Sequence, residues 1–188
     1  MRVISGIRKG KQLKAVPGFN TRPTTDKVKE AIFNMIGPYF DGGMGLDLFA
    51  GSGGLGIEGL SRGLDKVIFI DQDAKAIHTV RTNLEICSFL EQAEIYKNDS
   101  IRALQILGKR ELKFDVIWMD PPYKKKLLDN LLVTVQNKGL LKEDGVIVYE
   151  HDANDEIPEY VGDLHRVKQN HYGIIGISIF SYDLNKED

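Results

Sequence analysis

The chain has 188 residues, of which 42% are hydrophobic and 28% are charged, and its formal net charge is −2. These values predict one globular domain with its own core, and a single cysteine, Cys87, excludes a disulfide framework and a four-cysteine zinc site. The basic start is followed by no apolar segment typical of signal peptides, and no apolar run is long enough to span a bilayer, so we expect a cytoplasmic protein.

Positive charge is concentrated near the N-terminus. Residues 2–29 hold eight basic side chains and one acidic one, a balance of +7, whereas the rest of the chain has a balance of −9. Such a block is typical of a segment that binds a polyanion. A solvated tail without a partner would also be basic, but this block is interleaved with apolar residues that a disordered tail would lack. These apolar residues are Val3, Ile4, Ile7, Leu13, Val16 and Phe19.

The first predicted elements are a hairpin and a helix. Residues 2–16 alternate loosely between polar and apolar and contain two glycines, which predicts a short hairpin with basic side chains on one face. Apolar residues then recur at helical spacing, which predicts a helix that begins at Thr25 or Asp26 and ends at Gly37. The residues on its apolar face are Val28, Ala31, Ile32, Met35 and Ile36.

From residue 44 onward, strands and helices alternate. Apolar strands are predicted at residues 45–50, 66–71, 93–99, 114–120 and 145–151. Helices are predicted between them, at residues 57–63, 74–84, 101–110 and 126–137. The final stretch, residues 164–183, leaves no room for a crossover helix and predicts an antiparallel hairpin. This alternation predicts an α/β fold in which a mostly parallel sheet carries helices on both faces.

A glycine-rich turn follows the first of these strands. Gly51, Gly53 and Gly56 fit the G-x-G-x-x-G pattern of dinucleotide-binding loops, and Asp71 follows at the end of the second strand. On spacing alone this pattern predicts a NAD site. Asp47, at the end of the first strand, changes the interpretation, because its carboxylate would repel a pyrophosphate and attract a positively charged ligand such as S-adenosylmethionine.

The next two strand ends also carry polar side chains. Asp71 lies where a carboxylate can accept hydrogen bonds from both hydroxyls of a ribose. Asn98 and Asp99 lie where an acceptor can bind an adenine amino group. Asp99 or Ser100 can equally cap the following helix, and one residue can do both.

The fourth strand ends in Asp120, Pro121, Pro122 and Tyr123. Two prolines remove two backbone donors and fix the chain, which suits a simple strand-terminating turn. Beside a glycine loop, the same residues suit chemistry on a nucleobase amino group, whose lone pair is delocalised into the ring. The Asp120 carboxylate and the Pro121 carbonyl can accept its two N–H groups and direct the lone pair toward a methyl donor, while Tyr123 stacks on the base.

These motifs resemble those of a known family. The Asp-Pro-Pro-Tyr sequence and the DLFAGSG sequence are similar to those of class I amino-methyltransferases that act on N6 of adenine, N4 of cytosine or N2 of guanine. Residues 2–36 resemble the opening of the RsmD family, bacterial enzymes that methylate a guanine N2 in small-subunit ribosomal RNA. The family motifs G-x-x-K-G-x-x-L, T-R-P-T-x-D-x-V-x-E-x-x-F and D-x-F-A-G-S-G-x-L-G occur in order, and the resemblance covers essentially the whole chain.

The resemblance implies a Rossmann-like methyltransferase fold with seven strands in the order 3-2-1-4-5-7-6. It also implies S-adenosylmethionine as cofactor and 16S rRNA, in an assembled or nearly assembled small subunit, as partner. We divide the chain into a basic RNA-binding arm, residues 1–22, and a methyltransferase domain, residues 23–188, and expect a monomer. The cofactor contacts we expect are Asp47, Phe49, Ala50, Gly51, Ser52, Gly53, Asp71, Gln72, Asn98 and Asp99. The catalytic residues we expect are Asp120, Pro121, Pro122 and Tyr123.

The candidate RNA contacts are Arg8, Lys9, Lys11, Lys14, Arg22 and Thr24. Arg22 and Thr24 are ambiguous, since they can also close the cofactor pocket or start the helix. The run Lys124–Lys126 can help to hold phosphate. We interpret the sequence Glu150-His151-Asp152, at the end of the fifth strand, as structural or peripheral.

Three other functions stay open at this point. The first is an amino-methyltransferase that acts on adenine or cytosine; a DNA-directed enzyme of that kind is disfavoured because 188 residues leave no room for a target-recognition domain. The second is a NAD-dependent oxidoreductase, for which no substrate domain is present. The third is a non-catalytic RNA-binding assembly factor. No metal site is expected, because the four histidines show no ligand spacing, and nothing around Cys87 indicates a catalytic thiolate.

Overall fold

The computed structural model describes residues 1–18, 24–121 and 126–182. The helices are α1 (Asp26–Ile36), α2 (Gly54–Ser61), α3 (Ala74–Cys87), α4 (Ser100–Lys109) and α5 (Lys126–Asn137), with a short 3₁₀ helix at Leu90–Gln92. The strands are β1 (Met44–Asp47), β2 (Lys66–Asp71), β3 (Ala93–Lys97), β4 (Phe114–Met119), β5 (Leu141–Asp152), β6 (Tyr160–Val161), β7 (Leu164–Tyr172) and β8 (Ile175–Tyr182). No helix in the described part of the chain is long and apolar enough to cross a membrane.

All the strands join one sheet, in the order β3-β2-β1-β4-β5-β8-β7-β6. The first five are parallel, and β8 pairs antiparallel with both β5 and β7. The predicted α/β fold is therefore confirmed, with one correction: the sheet has eight strands where we expected seven. The additional strand is β6, which extends the edge beyond β7. When β6 is left out and the last two strands, β7 and β8, are counted as the sixth and seventh, the order is the expected 3-2-1-4-5-7-6.

The sheet separates two hydrophobic cores. Because successive side chains of a strand point to opposite faces, Val116 and Trp118 of β4 pack on one side and Ile117 and Met119 on the other. The first face is covered by α1, α2 and α3, and the second by α4 and α5. The central strands are buried on both faces, which explains why each reads as a continuous apolar run.

The N-terminal segment, residues 1–18, packs onto the first face. We expected a hairpin, and the structure joins the two arms by one antiparallel bridge, between Arg2 and Gln12. Backbone hydrogen bonds also link the arms, from Val3 to Lys11 (2.9 Å), from Gly10 to Val3 (2.8 Å) and from Leu13 to Met1 (2.9 Å). Val3 and Leu13 point into the core shared with α1, α2 and α3. The buried carboxylate of Glu58, on α2, accepts hydrogen bonds from the backbone amides of Ile4 (2.8 Å) and Ser5 (2.9 Å). The segment is thus built into the domain along one side.

The helix starts follow from local chemistry. Thr25 caps α1 by accepting a hydrogen bond from the amide of Val28, which settles the choice between Thr25 and Asp26. Asp73 caps α3 and Asp99 caps α4 in the same way. Both caps follow directly on the strands, since Asp73 lies two residues after the end of β2 and Asp99 two residues after the end of β3. The turns after β2 and β3 are therefore short and lie at the same edge of the sheet.

Candidate functional site

Four carboxylates follow one another along the carboxyl edge of the sheet, at the ends of β2, β1, β4 and β5. They belong to Asp71, Asp47, Asp120 and Glu150. The register pairs Asp47 with Phe69 and with Trp118, both of which face the α1–α3 side. Ligands bind at the carboxyl edge of the parallel strands in doubly wound sheets. In this protein that edge is acidic on the side of the sheet that α1, α2 and α3 cover.

Asp47 is buried beneath the glycine loop, with 3% of its surface exposed. Its Oδ2 accepts a hydrogen bond from the amide of Gly56 in the first turn of α2, at 3.0 Å. The pKa of Asp47 is raised from 3.8 to about 7, chiefly by burial and to a smaller extent by the nearby charge of Asp71, while the hydrogen bond from Gly56 opposes the change. A cation bound beside Asp47 would favour its charged form, because an opposite charge offsets the cost of burial.

The loop over Asp47 is held in place by backbone contacts. Gly51 has a φ of 54° and donates its amide hydrogen to Oδ2 of Asp71 at 2.8 Å. The amide of Asp73 donates to the other oxygen, Oδ1, at 2.9 Å. A Cβ at Gly51 would meet no atom within 4 Å, so the space over this residue is open. A left-handed backbone facing open space is where glycine lets a ligand approach closely.

A cleft of about 130 Å³ lies between this loop and the N-terminal segment. The expected residues that line it are Thr24, Asp47, Phe49, Ala50, Gly51, Ser52 and Asp120. The residues that we did not expect are Met1, Ala15, Val16, Lys29, Gly54 and Leu55. The enclosed volume is below the ~300 Å³ of a typical small-molecule pocket, so a nucleoside-sized ligand would also occupy the open edge beside Asp71.

Asp120 lies where this cleft meets a second, shallow hollow. The hollow is lined by Asp120, Pro121, Tyr149, Glu150, His151, Asp152, Asp155 and Ile175. Asp120 is solvent-exposed, yet desolvation by the surrounding chain raises its pKa well above 3.8, and the charges of Glu150 and Asp47 act in the same direction. Desolvation and the two neighbouring negative charges therefore all disfavour the ionised form of Asp120.

Glu150 is the neighbour of Asp120 on the adjacent strand, since Met119 pairs with Tyr149 and each acid follows by one residue. Thr24 donates its hydroxyl hydrogen to Oε2 of Glu150 at 3.2 Å. Burial raises the pKa of Glu150, and the Thr24 hydrogen bond partly offsets this. We interpreted Glu150 as structural or peripheral from the sequence; the structure places it in the site.

One wall of the cleft is supported by a buried ion cluster. Glu58 lies 3.5 Å from Lys29 and 2.8 Å from Arg62, and the three side chains are at most 3% exposed. Lys29 also donates to the backbone oxygen of Arg2 at 2.6 Å. Burial lowers the pKa of Lys29, although Glu58 opposes this change. The sequence offered one signal for this role: Lys29 precedes the buried Ile32 and Phe33 by three and four residues and so lies on the apolar face of α1.

The remaining expected cofactor residues do not line the cleft. Gly53 caps α2 with a φ of 81° and is buried behind the loop. The amide of Asn98 donates to the backbone oxygen of Asp71 at 3.0 Å, which joins the ends of β2 and β3. Gln72 is exposed beside them. Asp99 accepts a hydrogen bond from the amide of Arg102 at 3.1 Å and thereby caps α4.

The basic residues of the N-terminal segment fall into two groups. Lys9, Lys11 and Lys14 are exposed. Arg8 donates from Nε to the backbone oxygen of Cys87 at 2.6 Å, and its guanidinium group lies 5.4 Å from the centre of the Phe89 ring. Arg8 therefore anchors the segment to the end of α3, which sets it apart from the three lysines.

Several expected residues lie outside the described part of the chain. These are Arg22, Pro122, Tyr123, Lys124 and Lys125, so the aromatic contact to a base stays a prediction. Among the described residues, no group of three His, Cys, Asp or Glu side chains could hold a metal ion.

Comparison with known proteins identifies the family. Residues 1–181 match the family model described as Conserved hypothetical protein 95. The chain is 58% identical over 180 residues to YlbH of Bacillus subtilis (strain 168), which is named as a candidate rRNA methyltransferase. The aligned region covers 96% of this chain and 98% of YlbH. It is 36% identical over 156 residues to ribosomal RNA small subunit methyltransferase D of Haemophilus influenzae, with coverage of 82% and 80%.

Solved structures give the same picture. A conserved hypothetical protein of Streptococcus pyogenes superposes with a TM-score of 0.79 at 34% identity, covering 85% of this chain and 98% of that one. The protein yhhF of Escherichia coli, named as a candidate methyltransferase, superposes with a TM-score of 0.83 at 27% identity, with coverage of 97% and 98%. The fold is thus the Rossmann-like methyltransferase fold, and the chain belongs to the RsmD family that its N-terminal motifs and its Asp-Pro-Pro-Tyr sequence implied.

Proposed function

We propose that this chain transfers a methyl group from S-adenosylmethionine to the exocyclic N2 amino group of a guanine in the 16S rRNA of the small ribosomal subunit, in the cytoplasm. The names of its relatives support an rRNA methyltransferase. The observation that carries the proposal is the position of Asp120, whose carboxylate borders both the cleft at the glycine loop and the hollow beside it.

The cleft suits a cationic cofactor. Asp47 and Asp120 both line it, and each carboxyl has a raised pKa that a bound cation would lower. S-adenosylmethionine carries a sulfonium and an α-amino group, whereas NAD brings a pyrophosphate. A pyrophosphate normally binds the free amides at the start of the helix that follows a glycine loop, and at α2 the amide of Gly56 already donates to Asp47.

The chain residues have separate tasks toward this cofactor. Asp47 would hold the cationic amino-acid end, Gly51 would let the backbone approach it, and Asp71 would accept hydrogen bonds from the ribose. Each oxygen of Asp71 takes one backbone donor and keeps a further lone pair for a hydroxyl. When bound, S-adenosylmethionine supplies an electrophilic methyl group on its sulfonium sulfur.

The acceptor base would lie on the other side of Asp120. The Asp120 carboxylate and the Pro121 carbonyl would accept the two N–H groups of the amine, which turns its lone pair toward the cleft. Their negative charge and dipole also stabilise the positive charge that develops on nitrogen as the new bond forms. Asp120 would then be placed to take the proton that the amine loses, so that the product is the neutral methylamine.

The N-terminal segment would bind the RNA backbone. Lys9, Lys11 and Lys14 are exposed on one segment, whose end at Ala15 and Val16 forms part of the cleft wall. Phosphate contacts of this kind position an RNA without reading its sequence. Residues 1–22 would thus act as the RNA-binding arm of a monomeric enzyme.

The test is methyl transfer from labelled S-adenosylmethionine to small subunits from a strain that lacks this protein, followed by nucleoside analysis. We expect label in N2-methylguanosine. Label in N6-methyladenosine or N4-methylcytidine would keep the reaction type and overturn the base assignment. A parallel thermal-shift titration is expected to show stabilisation by S-adenosylhomocysteine and none by NAD; the reverse result would favour the oxidoreductase.

A further inference from the structure

Asp120 and Glu150 form a pair of adjacent carboxylates that a simple amine-binding site does not require. The parallel register places them side by side at the ends of β4 and β5, where neighbouring strands lie about 4.8 Å apart. Both line the shallow hollow that adjoins the cofactor cleft. If Asp120 holds the reacting amine and the Watson–Crick edge of the base lies along the two strand ends, Glu150 faces the ring nitrogen next to that amine.

That ring atom differs among the three bases that carry an exocyclic amine. In adenine the neighbouring ring nitrogen N1 is an acceptor, and in cytosine the corresponding N3 is also an acceptor. In guanine the Watson–Crick neighbour of N2 is N1–H, which is a donor. A carboxylate in this place accepts a hydrogen bond from N1–H of guanine. In adenine and cytosine it faces the lone pair of a ring nitrogen, and this costs free energy because neither the carboxylate nor the ring nitrogen carries a hydrogen to donate.

Glu150 is held for such a contact. Thr24 donates to Oε2 of Glu150, and the described part of the chain supplies no hydrogen bond to Oε1. Thr24 lies at the start of α1 on the wall of the cofactor cleft, so the carboxylate is oriented from the cofactor side. Its other side faces the hollow.

We propose that Glu150 selects the acceptor base by accepting the N1–H of guanine while Asp120 and Pro121 hold the N2 amino group. This assignment rests on the proposed function, and it gives the guanine preference a residue. The three N–H donors of guanine along this edge, one on N1 and two on N2, match the acceptors of Asp120, Pro121 and Glu150. These N–H donors also compensate for the burial that raises the pKa of both carboxyl groups in the free protein.

The experiment compares the methylation rates of two small ribosomal subunits, one with guanine and one with 2-aminopurine at the methylated position. That position is first mapped, and the modified 16S rRNA is then made by ligation and assembled into subunits. Because 2-aminopurine keeps the N2 amine and lacks the N1 hydrogen, we expect the unaltered enzyme to methylate it at least about 100-fold more slowly than guanine. Equal rates on the two subunits would overturn the assignment without any variant.

Glu150→Gln tests the residue itself, because its amide can donate to the unprotonated N1 of 2-aminopurine. We expect this variant to methylate guanine subunits at least about 10-fold more slowly and to narrow the guanine-to-aminopurine rate ratio at least about 10-fold. A loss of activity with an unchanged ratio would show a structural role and overturn the assignment. Binding of S-adenosylhomocysteine, measured by thermal shift, reports that the variant is folded.

Glu143→Gln is the matched control, because it makes the same chemical change on the same strand at an exposed position away from the site. It is expected to retain both the rate and the ratio. Methylation of guanine subunits by the unaltered enzyme separates the two proposals. If the unaltered enzyme does not methylate these subunits, the proposed function is wrong. If it does, but Glu150→Gln leaves the guanine-to-aminopurine rate ratio unchanged, only the role of Glu150 is wrong.

Discussion

Asp47 and Gly56 join the end of β1 to the start of α2 through one hydrogen bond of 3.0 Å between a buried carboxylate and a backbone amide. A cation bound beside Asp47 would complete its charge balance, and without one the carboxyl group titrates near neutral pH. The residue to which we assign cofactor binding is therefore also a source of instability in the free protein, which has a measurable consequence.

Asp47→Asn is expected to stabilise the free protein and to weaken its binding of S-adenosylhomocysteine. The pKa of Asp47 is about 7 in the folded protein against an ordinary 3.8, so the folded state binds the proton more tightly. The free energy of unfolding must then fall as the pH rises from about 4 to about 7. Because Asn does not ionise, Asp47→Asn should raise the free energy of unfolding at pH 8 by up to about 4 kcal/mol.

Thermal unfolding at pH 5 and pH 8, with and without S-adenosylhomocysteine, measures both effects. Asp144→Asn, at an exposed position on β5, makes the same change away from the site and should leave both quantities unaltered. If Asp47→Asn destabilised the protein at pH 8, burial would not be the dominant influence on this carboxyl.

Asp120→Asn is expected to lower kcat by about 100-fold or more, because the negative charge that stabilises the developing positive charge on the amine is lost, although the amide oxygen can still accept a hydrogen bond. Binding of S-adenosylhomocysteine should change much less, since Asp47 remains. In the unaltered enzyme, kcat/KM should rise with pH through the range where Asp120 ionises, because its pKa is raised and only the carboxylate can accept both a hydrogen bond and a proton. Full activity of Asp120→Asn would contradict the mechanism.

Glu58→Gln is expected to destabilise the protein by about 3–5 kcal/mol, because Lys29 and Arg62 would be left buried without their counter-charge. Chemical denaturation measures this change. Glu94→Gln is the comparison, since Glu94 also bonds to two cations, Lys66 and Arg110, but these are more than a third exposed. Solvent screening should limit its cost to about 1 kcal/mol. Similar costs for the two variants would show that burial does not set the strength of these pairs.

Replacing Lys9, Lys11 or Lys14 with Gln is expected to weaken binding to the small subunit. Each change should also reduce the slope of log affinity against log salt concentration by about one, because one fewer counterion is released. Arg8→Gln should leave that slope unchanged and lower the melting temperature, because Arg8 is bonded to Cys87 and packs on Phe89. Filter binding over a series of salt concentrations distinguishes these outcomes; a salt slope that falls for Arg8→Gln would place Arg8 with the lysines.

The parallel part of the fold could be predicted from the sequence because each buried strand is a continuous apolar run between turns. The predicted bounds of β2 and α5 agree with the structure to the residue. Strand β6 could not be predicted, since two residues carry no periodicity, and it forms only because the chain reverses at Gly162, with a φ of 59°, onto β7.

The candidate site was predictable where its residues adjoin a motif, as Asp47 and Asp120 do. Glu150 was missed because nothing in its local sequence distinguishes it from a solvated strand end. It joins the site only through the pairing of β4 with β5, a contact across thirty residues of sequence. The ion pair of Lys29 could not be predicted for the same reason: its partner Glu58 lies on another helix.

The position of β8 inside the sheet governs the order in which the protein can be completed during synthesis. Among the described strands, β8 is translated last, yet it lies between β5 and β7 and pairs with both. A nascent chain that lacks it exposes the edge of β5, the strand that carries Glu150, and such an edge can pair with a strand of another chain. The end of β5 that carries Glu150 therefore becomes rigid only after β8 has been synthesised, whereas the glycine loop after β1 can form earlier.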